Sequence, residues 1–232
     1  MAGLVAAAAV FLLIHLAISG TRVRDAITGA IGEGPYMGLF SLASVAALVW
    51  LGLGYAHARG DPAEVAYWTV TPATRWIQLG VTLIAFLLVV PGLMTPNPTS
   101  VRQEGALEKP DAVKGVLRIT RHPFLWGVAI WAAGHLMVNG DTASLILFGT
   151  LLVLAIAGTY SIDAKRRRAL GDKWSAFAAQ SSAIPFAAII QGRQTLNLAE
   201  IGWLRLALAV VVWAALLFAH PFAFGAPALP PG

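Results

Sequence analysis

Histidine is the strongest metal ligand in this chain, which has no cysteine at all. There are five: His15, His57, His122, His135 and His220. His57 and His220 close apolar runs, and a solvated helix end accounts for both. His15 of IHLAISG and His135 of WAAGHLM instead lie within apolar runs. Burying an imidazole in hydrocarbon is costly, so an intramembrane histidine is a functional candidate by default. Two neutral imidazoles on different helices have the chemistry to ligate a haem iron from both faces. A bare d-block ion is a poorer occupant, because the spans carry no carboxylates to complete its shell. We therefore expect haem b with His15 and His135 as axial ligands of its iron. His122, beside Arg121 in RITRHP, is the rival partner for His15 or a residue that supports a ligand from behind, Arg121 is counted with it among the cofactor-binding candidates, and a capping or headgroup role for His122 stays open. Pro123 favours the first helical position and pushes His122 toward an extended backbone.

The elements that must position these rings are membrane helices. The chain has 232 residues, 58% hydrophobic and only 12% charged, with a mean hydropathy of +0.73, which is too apolar for an ordinary soluble domain. A hydrocarbon core of about 30 Å takes ~20 helical residues. Runs of that order lie near residues 2–19, 37–57, 75–94, 123–139, 143–163 and 203–221. The expected fold class is all-α: a polytopic membrane helical bundle of about six transmembrane helices in one domain over residues 1–232. The segment Asn139-Gly140-Asp141 signals a tight turn, making its flanking helices an antiparallel hairpin. The first run ends in small residues like a signal peptide, but it lacks a charged n-region and holds His15, so it reads as a retained span.

Two cytoplasmic stretches complete the picture. AKRRRALGDKWSAFAAQ places Leu170, Trp174 and Phe177 at helical spacing against a basic face, the pattern of an interfacial amphipathic helix on anionic headgroups. SAIPFAAIIQGR is apolar but too short to span, which fits an interfacial or re-entrant segment. At 1.5 Å per residue, His15 and His135 differ in depth by about 10 Å on straight helices, a difference that tilt or stagger must absorb. The small residues Ala8, Ser19, Gly127 and Gly134 are read as the walls of a groove for the macrocycle.

The net charge of +5 does not point to nucleic acid, because the basic residues cluster between apolar runs. All Lys and Arg except Arg59, Arg75 and Arg205 fall on the first, third and fifth connections, which by the positive-inside rule face the cytoplasm. Both termini are then periplasmic in a bacterial inner (plasma) membrane, with membrane lipids as the surrounding partners. No G-x-S-x-G elbow, Walker loop or zinc-protease helix is present, which removes hydrolase and phosphoryl-transfer chemistry. Asp163 reads as a charge neighbour for Lys165 to Arg168.

LRITRHPFLWG, WAAGHLMVNGD, SAIPFAAIIQGRQ, IHLAISGTRVRD and FAHPF resemble the NnrU family of membrane proteins over nearly the whole chain. That family includes the 15-cis-zeta-carotene isomerases of plants and cyanobacteria. The resemblance implies a redox-dependent cis–trans isomerase of a carotene-like, lipid-soluble polyene, with a b-type haem whose ligands fall on His15 and His135. The plant enzymes carry a cysteine three residues before the second histidine; here that position is Ala132, which rules out a switch to thiolate ligation. The bacterial members imply the alternative, a non-catalytic component linked to denitrification and nitric oxide metabolism. A remoter similarity is to isoprenylcysteine-type methyltransferases that use S-adenosylmethionine. It rests on Arg121, His122, Pro123 and Gly127, then Gly171 and Trp174, but the acidic residue usual in the later element is not in place.

Overall fold

The computed structural model describes residues 1–109 and 111–230; Pro231 and Gly232, the last two residues of the expected domain, lie outside the described residues. The protein is all-α. Helix α1 (Ala2–Leu12) runs into a π-helical segment, Leu13–Ile18, and the chain then bends by 79° into α2 (Arg22–Ile31). There follow α3 (Glu33–Ala58), α4 (Pro72–Met94), the short α5 (Val116–Ile119), α6 (Pro123–Met137), the long α7 (Thr142–Gln180), the short α8 (Ala187–Ile190) and α9 (Leu198–Ile201), and α10 (Trp203–Phe224). Among the described residues four helices, α3, α4, α7 and α10, are long and apolar enough to cross a membrane, and a fifth crossing is available if the bent α1–α2 pair counts as one. The sixth expected span, α6, is only 15 residues long. That is short because Pro123 fixes its start and the turn at Asn139 to Asp141 its end.

Local chemistry sets these boundaries. Thr71 and Thr74 cap each other at the start of α4, with Pro72 at the first helical position. Asp141 caps α7 by accepting from the Ser144 amide at 2.8 Å. The expected hairpin of α6 and α7 follows from that cap. In it, Gly140 lies flat against the Trp68 ring, where a Cβ would sit 2.7 Å from Cδ2.

The helices pack as an elongated bundle. Helices α1, α3 and α7 form a triplet, α6 lies on α7, α4 on α6 and α10 on α4. One apolar cluster, with Leu4, Phe11, Ala47, Leu51 and Ala143, fixes the triplet. A second, with Leu88, Val116, Leu117, Trp174, Phe177 and Ile201, lies at the basic end of the molecule.

That second cluster corrects the interfacial-helix expectation. The residues from Ala164 to Gln180 continue α7, broken only at Gly171, whose φ of +50° is a conformation glycine adopts without strain. Trp174 is fully buried and Phe177 nearly so, against α5 and α9. The apolar stripe covers protein rather than lipid, because helical spacing of apolar residues reports burial and not its partner. A second correction concerns the small residues. A Cβ on Gly127 would sit 2.8 Å from the Ala85 carbonyl oxygen, and one on Gly134 would sit 2.8 Å from Val81 Cγ1. These glycines let α4 approach α6, and Ala8 is buried within the α1–α3–α7 cluster. The groove read from them is already filled by helices.

Candidate functional site

Histidines occupy two contrasting settings. Within the bundle, His15 lies in the π-helical segment, a backbone irregularity frequent at functional sites. Its Nδ1 is 2.8 Å from the Phe11 carbonyl, an acceptor, so Nδ1 carries the proton. Its ring packs on Phe11 and on Phe40 of α3. His135 repeats the arrangement: Nδ1 is 2.8 Å from the Trp131 carbonyl. It is held more firmly, because the Gln78 amide of α4 accepts from the same Nδ1 at 3.2 Å while its nitrogen donates to the Gly134 carbonyl at 2.9 Å. Trp131 and Phe148 flank the ring, with centroids 4.2 and 4.8 Å away.

In both histidines the proton is held on Nδ1 and the Nε2 lone pair has no hydrogen-bond partner among the described residues. That is the tautomer a metal-bound imidazole takes, with its second nitrogen tied to a carbonyl. Each ring taken singly fits an axial ligand of haem. The two do not meet, however. Gly20 lies against Ser161 of α7, which puts His15 level with about residue 156 of α7, roughly 12 Å along the axis from Phe148 and the His135 ring. The depth difference expected from straight helices is thus present in the fold.

At the basic end, His122 is the residue before α6, 2% exposed. Its Nε2 donates to Asp163 Oδ1 at 2.7 Å. Arg121 Nε reaches both oxygens of the same carboxylate at 3.0 Å, Nη2 adds a further bond to Oδ2, and the guanidinium lies over the Trp174 ring, 5.8 Å from its centroid. Burial pushes the His122 imidazole below its ordinary value, against the opposing pull of Asp163, so the ring is neutral at pH 7. The Arg121 backbone is equally committed: its amide donates to the Ser182 carbonyl at 2.9 Å, and its carbonyl accepts from Asn97 Nδ2 at 3.0 Å and Thr99 Oγ1 at 3.1 Å. This clasp fastens the third connection, α6, α7 and the SAIPF segment together. Asp163 is therefore the counter-charge of Arg121 and the acceptor for His122, not a neighbour of the basic run.

The sequence profile of the NnrU protein family matches residues 3–228. The chain belongs to the NnrU family. Two relatives of this NnrU protein are the chloroplastic 15-cis-zeta-carotene isomerases of Arabidopsis thaliana, 24% identical over 190 residues, and Zea mays, 25% identical over 195 residues. Each match covers 81% of this chain and 50% of the relative, so the NnrU protein spans about half the length of these relatives. No solved structure matches it.

Of the residues named from sequence, the fold brings the adjacent Arg121 and His122 onto Asp163, and leaves His15 and His135 in separate settings within the bundle. Sequence reading missed Gln78, and gave Asp163 the wrong partners. Gln78 was visible as an amide inside an apolar span, where an unpaired polar group is costly, but its partner was not.

Proposed function

We propose that this NnrU protein is a membrane cis–trans isomerase of a lipid-soluble, carotene-like polyene, with haem b as cofactor, His135 as the anchoring axial ligand and His15 as the second. The carrying observation is that both intramembrane imidazoles hold their proton on a backbone carbonyl four residues back and leave Nε2 unclaimed. The substrate class comes from the chain's similarity to the 15-cis-zeta-carotene isomerases of plants.

When bound, haem supplies one-electron redox chemistry inside an apolar site. The protein's own residues hold and orient. Gln78 and the Trp131 carbonyl fix the tautomer and direction of His135, and Trp131 and Phe148 keep water from the ring. A cavity of about 180 Å³ lined by Ala85, Phe86, Val89, Val128 and Trp131 opens one helical turn from His135, with walls suited to hydrocarbon. Cis–trans isomerisation moves no atom between molecules, so it needs no acid–base pair at this place. His135, with its Gln78 and Trp131 partners, would hold the haem; His15 lies roughly 12 Å away along the axis and would reach it only with a rearrangement of α1.

The test is an oxidised and dithionite-reduced absorption spectrum of the purified protein, made with a haem precursor, beside His15→Ala and His135→Ala. A Soret band with sharp reduced α and β bands, lost in either variant, supports the reading. Loss in His135→Ala alone restricts the ligand set to one histidine. A folded, colourless protein that takes up no haemin overturns the cofactor. Product analysis with a cis-carotene in membranes then separates isomerase from the alternative, a non-catalytic haem protein of denitrification or nitric oxide metabolism; half-length coverage of the relatives is what keeps that alternative in view.

A further inference from the structure

A second cavity lies at the basic end, where α4 ends, and it belongs to neither histidine setting. Its volume is about 350 Å³, and its walls include Leu93, Met94, Thr95, Arg102 and Lys109. Leu93 and Met94 are exposed at the last turn of a membrane-length helix, so the lower wall is apolar and faces the bilayer. The upper wall is cationic. Arg205 of α10 approaches the same place, its Nη1 3.4 Å from Thr95 Oγ1.

The charges around this cavity are sorted rather than mixed. The 3-10 turn Glu104–Glu108 supplies two carboxylates that could neutralise it, but both turn away. Glu104 pairs with the buried Arg166, and Glu108 lies 3.8 Å from Lys173, both on α7. Among the described residues, Arg102, Lys109 and Arg205 have no carboxylate within ion-pair distance. Arg102 also sits at φ +58°, a conformation that non-glycine residues adopt at a cost in strain. An unfavourable backbone geometry that holds an unpaired guanidinium at the rim of a cavity is a reason to look for a ligand.

An apolar wall in the bilayer below two or three unpaired cations is complementary to one chemistry, an anionic headgroup on an acyl chain. We propose that this cavity is a binding site for one anionic phospholipid, with the phosphate held by Arg102 and Lys109, supported by Arg205, and the chain laid along Leu93 and Met94. The proposal does not depend on haem or on isomerase activity.

It is tested by native mass spectrometry of the full chain released from nanodiscs of mixed phosphatidylglycerol and phosphatidylcholine. The protein should retain one phosphatidylglycerol in preference to phosphatidylcholine. Neutralising two cations near a headgroup, in Arg102→Gln with Lys109→Gln, should weaken retention about 25-fold. Arg102→Gly removes the cation while relieving the strained φ, so it should lose lipid while its thermal midpoint in lipid-free detergent is unchanged or higher. Arg167→Gln with Arg168→Gln, elsewhere on the same basic end, should leave retention unaltered. Equal retention of both lipids overturns the site. So does equal loss in the Arg167/Arg168 control, which would mean diffuse surface charge, and so does inorganic phosphate at millimolar concentration displacing all retained lipid, which would mean a free-anion site.

Discussion

His135 and His122 lie thirteen positions apart in sequence, at opposite ends of the same 15-residue helix, and they are treated in opposite ways. His122 spends its Nε2 on Asp163 within a ring of charge and backbone hydrogen bonds, while its Nδ1 is buried without a partner among the described residues. His135 has its proton parked on Nδ1 and its Nε2 free. Both rings keep one nitrogen unclaimed, so the difference lies in what holds the other: a carboxylate that also carries Arg121 for His122, and a backbone carbonyl and an amide within the bundle for His135.

The largest effect should come from breaking the closed member of the pair. Asp163→Asn leaves the largely covered Arg121 guanidinium without its counter-charge and should cost about 3 kcal/mol, read as a fall in thermal midpoint in detergent. A loss under 1 kcal/mol would show that the clasp is not a source of stability. Next, Gly127→Leu drives a side chain into the Ala85 carbonyl and the α4 surface. Overpacking of this kind should cost about 1–3 kcal/mol and separate α4, with Gln78, from α6, so the haem band of the proposed site should weaken with stability.

A smaller effect tests the basic end away from the clasp. Glu200 accepts from Arg118 at 2.7 and 2.9 Å and from the Gly115 amide at 3.0 Å. The Arg118 guanidinium holds its carboxyl well down, at about 2 against an ordinary 4.5. A depressed carboxylate contributes stability that is complete above the unfolded value and is lost as pH falls through the folded one. The gap in thermal midpoint between the protein and Glu200→Gln should therefore be full above pH 5 and close progressively from about pH 4.5 toward pH 2. A gap independent of pH would remove the ion pair from the account.

The smallest effect on stability belongs to the open member. His15→Ala and His135→Ala each remove one or two hydrogen bonds, worth about 0.5–1.5 kcal/mol apiece, and the packing of one partly exposed ring, so each should cost less than Asp163→Asn while the proposed haem spectrum vanishes. If His135→Ala destabilises as much as Asp163→Asn, the contrast between the two histidines fails.

Much of this architecture is legible in the residues. The apolar runs and the Asn139 to Asp141 turn follow from local chemistry, although the run read as 75–94 begins at Pro72, behind the Thr71 cap. What was not legible depends on what comes to lie opposite. Leu170, Trp174 and Phe177 give the same periodic stripe whether lipid or Leu117 and Ile201 cover it. Gly127 and Gly134 mark a close approach, but not whether a macrocycle or a helix makes it. Asp163 stands two residues before Lys165, and local sequence favours that neighbour; only the fold brings Arg121, forty-two positions away, to it.

The elongated packing, with α10 on α4, α4 on α6 and α6 on α7, leaves most of each spanning surface facing outward. Hydrocarbon can then reach the cavity beside Trp131 sideways, by lateral diffusion in the plane of the bilayer. The concentration that matters for such a molecule is its mole fraction among lipids, not its molarity in water. Turnover by the proposed isomerase should accordingly follow the surface density of its polyene and stay constant when the same vesicles are diluted in buffer.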